Sequence, residues 1–169
     1  NLANNHIRDH GPQGLQTTLA ALQREGIQSL GAGKDRHQTR QLVRTDRHGL
    51  RIGWLGCART LAQQGDPGPF FWELEEAELL AAVRAARDSV DVLVVSLHLG
   101  FMYVDYPDPE HKVLAERLAE AGADFAVTQP VFDVQGLETF LKRAEELKLP
   151  ILAGLWPLLS LRNAEFLAN

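Results

Sequence analysis

Asn5 and His6 stand side by side near the start of the chain, in NLANNHIRDHG. An amide oxygen and an imidazole nitrogen are both ligands for a divalent metal. Asp9 and His10 follow at a spacing that lets them share a helical face with His6. The same stretch also reads as a plain helix start, with asparagine as the cap, aspartate in the first turn and the histidines in solvent. A second candidate, His98, ends the apolar run DVLVVSLHLG. At the carboxyl edge of a strand a histidine can bind a metal or a phosphate oxygen, or it can pack in the loop on one backbone hydrogen bond. Gln129, in TQP, carries a paired donor and acceptor that can read the edge of a heterocycle. A buried glutamine bonded to backbone is the alternative.

Other polar groups carry less chemistry. Asp105, Asp108, Glu110 and His111 in DYPDPEH have the composition of a metal cluster but read as turn and capping residues. His37 and His48 lie among arginines and read as surface. Cys57 has no histidine close in sequence to activate it as a nucleophile. Gly31 and Gly33 in GAGKD fit neither the dinucleotide fingerprint nor the triphosphate loop, and read as a turn. Trp156 ends a strand beside Pro157.

Groups at strand ends need strands and crossover helices to hold them. Leu15, Leu19, Leu22 and Ile27 recur at helical spacing until Gly26 stops the helix. IQSLGAG reads as a short strand running into a glycine turn, DRHQTRQLVRTD as a helical turn and a strand, and RHG followed by LRIGWLGCA as a hairpin. QQGDPGPFF is a loop. From Trp72 onward the pattern predicts α-β-α-β-α-β-α. WELEEAELLAAVRAARDSV forms the first helix, with Leu74 and Leu79 on its apolar side. DVLVVSLH, DFAVTQPVF and PILAGLWPL form strands buried on both faces. Asp108 and Pro109 suit the start of the helix after the first of these strands, and Gly122 suits its end. Gly136 weakens the next helix, and Ser160 is positioned to cap the last. The fold class is α/β, a mixed and largely parallel layered sheet with flanking helices.

Bulk properties narrow the partners. The chain has 169 residues, enough for a real core. Its net charge of −5 gives no reason to expect nucleic acid or an acidic membrane. A single cysteine excludes an internal disulfide. No apolar run approaches the roughly 18–20 residues of a membrane span, and no signal peptide is visible. The chain starts on Asn1 without methionine and stops at Asn169 inside a helical pattern, so both ends read as truncated.

These motifs together resemble a known family. NLANNHIRDHGPQGLQTTLAALQREGIQSLGAGKD, LRIGWLGCA and DVLVVSLHLGFMYVDYPDPEHKVLAERLAEAGAD, in that order, are similar to the CapA-type proteins of poly-γ-glutamate capsule synthesis. The likeness covers residues 1 to about 124. That family resembles a branch of the calcineurin-like metallophosphoesterases, in which two metal ions held at strand ends activate a water for attack on phosphorus. The resemblance implies that Asn5 and His98 are metal ligands, that His6 stabilises the transition state, and that manganese or a similar divalent ion is the cofactor. It also implies a cell-envelope location and a small-molecule or polymer-precursor substrate. The chain departs from the family pattern in places. Leu99 and Met102 stand where the family has an aromatic and an acidic residue. The early aspartate motif would fall before Asn1. After AGAD the family shows a Gly-His-x-His type motif, where this chain has FAVTQPVFD. The incomplete ligand set predicts impaired catalysis.

The tail resembles something else. GADFAVTQPVFDVQGLETFLKRAEELKLPILAGLWPLLSLRNAEFLAN, residues 122–169, is similar to methylenetetrahydrofolate reductase, a (β/α)₈ barrel that binds FAD. This second resemblance implies that Gln129 contacts folate, and it implies a cytoplasmic location for that part. Its βαβα piece is too little of a barrel to close. The two likenesses predict a chimera: a capsule-type region over 1–124 and a reductase-like segment over 125–169, joined near Ala123–Asp124. The alternatives to a capsule-related fragment are a flavin-dependent reductase fragment and a non-catalytic α/β domain. An exposed sheet edge beyond PILAGLW would favour self-association.

Overall fold

The computed structural model describes residues 1–59, 71–99, 109–145, 148–157 and 159–168. The expected QQGDPGPFF loop (but for Phe71), and Gly100, Met102, Asp105 and Asp108, lie outside these. The chain forms two compact units, Asn1–Gly122 and Ala123–Asn169. Both are α/β, and both contain parallel strands with flanking helices.

The first unit is built on a three-stranded sheet of order β1-β2-β3. Its elements are α1 (Gly11–Arg24), α2 (Arg36–Thr39), β1 (Val43–Arg47), β2 (Leu50–Ala58), α3 (Glu76–Arg87), β3 (Val92–His98) and α4 (Pro109–Glu120). β1 and β2 form the expected antiparallel hairpin, turning on His48 and Gly49, both at positive φ. Two such residues give the twist that a tight hairpin needs. β2 and β3 run parallel, from Ile52 opposite Val92 to Ala58 opposite His98. The carboxyl ends of the two strands are therefore level.

Alternation along β2 separates two cores. Leu55 and Cys57 face α3 and α4, packing with Trp72, Leu74, Leu79, Val83 and Leu114. Ala58 belongs to a second cluster with Ala3, Leu15, Ala32 and Phe71, which seats α1 and the N-terminal stretch. Glu76 and Arg117 pair between α3 and α4.

Four expectations change in this unit. Trp72–Leu74 is extended rather than helical, and α3 begins only at Glu76. Ala58 N–H donates to the Trp72 carbonyl (3.0 Å), and Leu74 N–H donates to the Ala58 carbonyl (2.8 Å). Trp72 N–H donates to Gly31 (2.8 Å), so the segment is committed to bridging β2 and the glycine turn. IQSLGAG forms no strand. Among the described residues its ladder contact is a bridge from Ala32 to Phe71. Ile27 lies past the end of α1 and is exposed. β3 is half-buried rather than buried on both faces, because it is an edge strand among the described residues of this unit.

In the second unit β4 (Ala126–Pro130) and β5 (Ile151–Gly154) pair in parallel, with α5 (Val134–Ala144) between them and α6 (Leu161–Ala168) following. Asp133 caps α5 by accepting the Gln135 N–H at 3.0 Å. β4 alternates half-buried and exposed positions, and Val127 and Leu152 are exposed, contrary to the expectation of strands buried on both faces. Two strands make too small a sheet to bury both faces. No described helix of either unit is long and apolar enough to cross a membrane.

Candidate metal centre

The N-terminal stretch is pinned across the carboxyl ends of β2 and β3. The Asn1 amide donates to Ser96 Oγ at 2.9 Å, and its Oδ1 accepts the Ala3 N–H at 2.9 Å. Leu2 N–H donates to the Leu30 carbonyl at 2.9 Å. Two glycines make room for Asn1. A Cβ on Gly56 would meet Asn1 Oδ1 at 2.5 Å, and one on Gly31, which also has a φ of +80°, would meet it at 2.6 Å. Ala3 is buried, which fixes the direction in which the next residues leave.

The turn that follows is capped by Asn4, not Asn5. Asn4 Oδ1 accepts the His6 N–H at 2.8 Å, as asparagine does at turn starts. That leaves the Asn5 side chain free of capping duty. Its Oδ1 lies 3.1 Å from His98 Nε2, and its Nδ2 lies 3.4 Å from His6 Nε2. His6 Nδ1 lies 2.9 Å from the Asp9 carboxylate. One assignment of protons satisfies the whole row: His98 donates to Asn5, Asn5 to His6, and His6 to Asp9. His10 takes no part; its carbonyl accepts the Gly14 N–H at the start of α1. Asn5, His6 and His98 are all exposed.

The donor set suits a cation. Two adjacent ligands about 2.2 Å from one octahedral ion stand about 3.1 Å apart, which is the separation of Asn5 Oδ1 and His98 Nε2. A bound ion would take the place of the proton they share. Among the described residues no group of three or more His, Cys, Asp and Glu could hold a metal. The pair therefore fits two positions of a coordination shell.

Sequence reading missed Arg59. It follows the last residue of β2, and its N–H donates to the His98 carbonyl at 3.0 Å, steadying the strand end that carries the histidine. Its guanidinium pairs with Glu110 in the first turn of α4, so Glu110 is an ion-pair partner. Only a register that puts Ala58 opposite His98 brings Arg59 to that place, and register is not visible in composition. Cys57 is fully buried, and burial pushes its thiol up to about 12, which suits packing and not nucleophilic attack. Gln129 lies in β4 and is exposed, so the alternative of a buried glutamine does not hold.

Comparison with known proteins agrees with the first of the two resemblances. Residues 1–143 match the model of the bacterial capsule synthesis protein PGA_cap. The match runs past Asp124, where the likeness was expected to end. The capsule biosynthesis protein CapA of Bacillus anthracis is 29% identical over 149 residues, covering 83% of this chain and 36% of that protein. The PGA biosynthesis protein CapA of Bacillus subtilis (strain 168) is 25% identical over 146 residues, covering 83% and 38%. A probable polyglutamine synthesis accessory protein of Mycobacterium tuberculosis is 32% identical over 145 residues, covering 73% and 36%. The chain thus spans a little over a third of the length of the curated relatives it matches. The likeness of residues 122–169 to methylenetetrahydrofolate reductase finds no support in these comparisons. On the family match, which covers most of its residues, the chain belongs to the bacterial capsule synthesis protein PGA_cap family.

Proposed function

We propose that this chain carries part of a divalent-cation site of the metallophosphoesterase kind, serving the synthesis of a polyglutamate capsule. The observation that supports the reading is the 3.1 Å approach of Asn5 Oδ1 to His98 Nε2. Asn5 and His98 would hold manganese or a similar ion as neighbouring ligands. Such an ion, when bound, activates water for attack on phosphorus. His6 would stabilise the developing charge, and Asp9 orients its ring through the 2.9 Å contact with Nδ1. The substrate is a small molecule or polymer precursor carrying a phosphoryl group. With two donors and Leu99 in the family's aromatic place, metal binding is weak and hydrolysis by this chain is slow or absent.

Manganese titration by calorimetry tests the reading. The expected result is weak binding that falls about tenfold or more in His98→Ala. Stoichiometric binding at low micromolar affinity, lost in His98→Ala, would show the ligand set to be fuller than proposed. Binding that is indifferent to His98→Ala would end the metal reading.

One observation favours a second reading for the tail. A compact unit begins at Ala123, inside the AGAD turn where the join was expected, although the family match runs on to residue 143. On that reading residues 125–169 are a reductase-like piece in a chimera, and FAD is the cofactor to look for. A purified protein with flavin absorbance supports it, and a colourless one counts against it. A chain that takes neither metal nor flavin is a non-catalytic α/β domain.

A further inference from the structure

A surface concavity away from the sequence-predicted residues is lined by Arg36 of α2, by Arg40 at the C-terminal cap of α2 and by Arg44 of β1, with Leu42 in its wall. Arg36 and Arg44 are exposed and Arg40 is half-buried. The carboxylate in closest contact is Glu78 of α3, which pairs with Arg36 and with Arg40. Arg44 donates to Ser89 Oγ, a neutral partner, at 3.3 Å. Asp35 directs its carboxylate to the Gln38 N–H at the start of α2. Three guanidinium groups line the recess and two of them grip one carboxylate, that of Glu78, which leaves a cationic recess on a chain whose net charge is −5.

We infer that this recess is a docking groove for a polyglutamate chain, a polymer of regularly spaced carboxylates. Two features of the groove argue for that occupant. Arg36 and Arg40 already hold a glutamate side chain from within the protein, so these two guanidinium groups at the recess are set to receive carboxylate. Arg40 is held both by Glu78 and over the Trp72 ring, 5.8 Å from its centroid. Its ordering is therefore complete before any ligand arrives, which lowers the entropy cost of binding. Arg36 and Arg44 flank it with N–H groups to spare, because a guanidinium carries five. The choice of glutamate polymer over other polycarboxylates rests on the capsule reading above. The groove itself does not need the metal site.

The test is fluorescence anisotropy of a labelled poly-γ-glutamate oligomer with the purified chain. The expected result is saturable binding that weakens with added salt, as for contacts between exposed charges. Arg36→Gln/Arg44→Gln should lose about tenfold or more in affinity, while Arg24→Gln, on α1, should not change it. Arg40 and Glu78 stay intact in that variant, and a thermal melt verifies its fold. Equal affinity in the double variant would overturn the groove. Equal or tighter binding of duplex DNA or polyphosphate of matched charge, lost in the same variant, would overturn the assignment to carboxylate. Polyglutamate binding should be unchanged in His98→Ala, which separates failure here from failure of the metal reading.

Discussion

Asn5 Oδ1 lies 3.1 Å from His98 Nε2, although 93 positions separate the two residues in the chain. Neither is buried, so packing around the side chains does not bring them together. Backbone does. β3 lies in parallel register with β2, and Asn1 is tied across both strands at Gly56 and Ser96. The candidate site is therefore as good as the seat of Asn1.

That dependence can be measured at Gly56. A Cβ there would stand 2.5 Å from Asn1 Oδ1 and 2.9 Å from Leu30 Cδ1. Gly56→Ala should destabilise the protein by about 1–3 kcal/mol, the usual cost of overpacking. It should also weaken manganese binding, although it removes no donor. Ser96→Ala, which deletes the Asn1 tie, should act in the same direction with a smaller cost of about 1 kcal/mol. Thermal melts and metal titrations on the same samples check both. Lowered melting temperatures with unchanged metal affinity would show that Asn1 does not position Asn5.

Acid should loosen the base of the sheet. Asp91 accepts from the Arg51 side chain and from its backbone N–H, at 2.8 and 2.7 Å. These bonds hold its carboxyl at about 2, below the ordinary 3.8. The folded form therefore binds this proton less readily than the unfolded form does. The stabilisation is fully present above pH 3.8 and is lost as pH falls towards about 2. Glu78 is lowered in the same sense, chiefly by its hydrogen bond to Arg40. Asp91→Asn should be less stable at neutral pH, and its stability should fall less steeply through this window. Denaturant melts at several pH values decide it, and parallel curves for the two proteins would refute the assignment.

Cys57 reports on opening of the first core. Moving a thiol from 9.0 to about 12 lowers its thiolate fraction about a thousandfold near pH 8. Labelling by iodoacetamide at that pH should be slow in the native protein and should rise with the unfolded fraction in denaturant. Fast labelling without denaturant would mean that β2 and α3 separate readily.

Much of the architecture was legible in the residues. Both parallel βαβ pieces were visible, because apolar β-branched runs bounded by glycine and proline leave few other readings. His98 was visible as a strand end. The misreadings share a cause. Trp72–Leu74 has helix-forming neighbours, yet its backbone is committed to Ala58 and Gly31, partners far off in sequence. The roles of Asn4 and Asn5 differ although the residues are identical and adjacent, because only the placement of Ala3 decides which side chain faces the turn and which faces β3. The exposure of β3 and β4 depends on sheet order, which no local pattern encodes.

The parallel pairing of β2 with β3 also sets a timetable. During synthesis, Asn5 and His6 leave the ribosome long before the strand that carries His98, with α1, the hairpin and α3 emerging between them. Closing so long a loop is slow beside forming a helix or a hairpin. The candidate site is thus one of the last parts of the first unit to exist, and a nascent chain halted before Val92 has its front half and nothing to set it against.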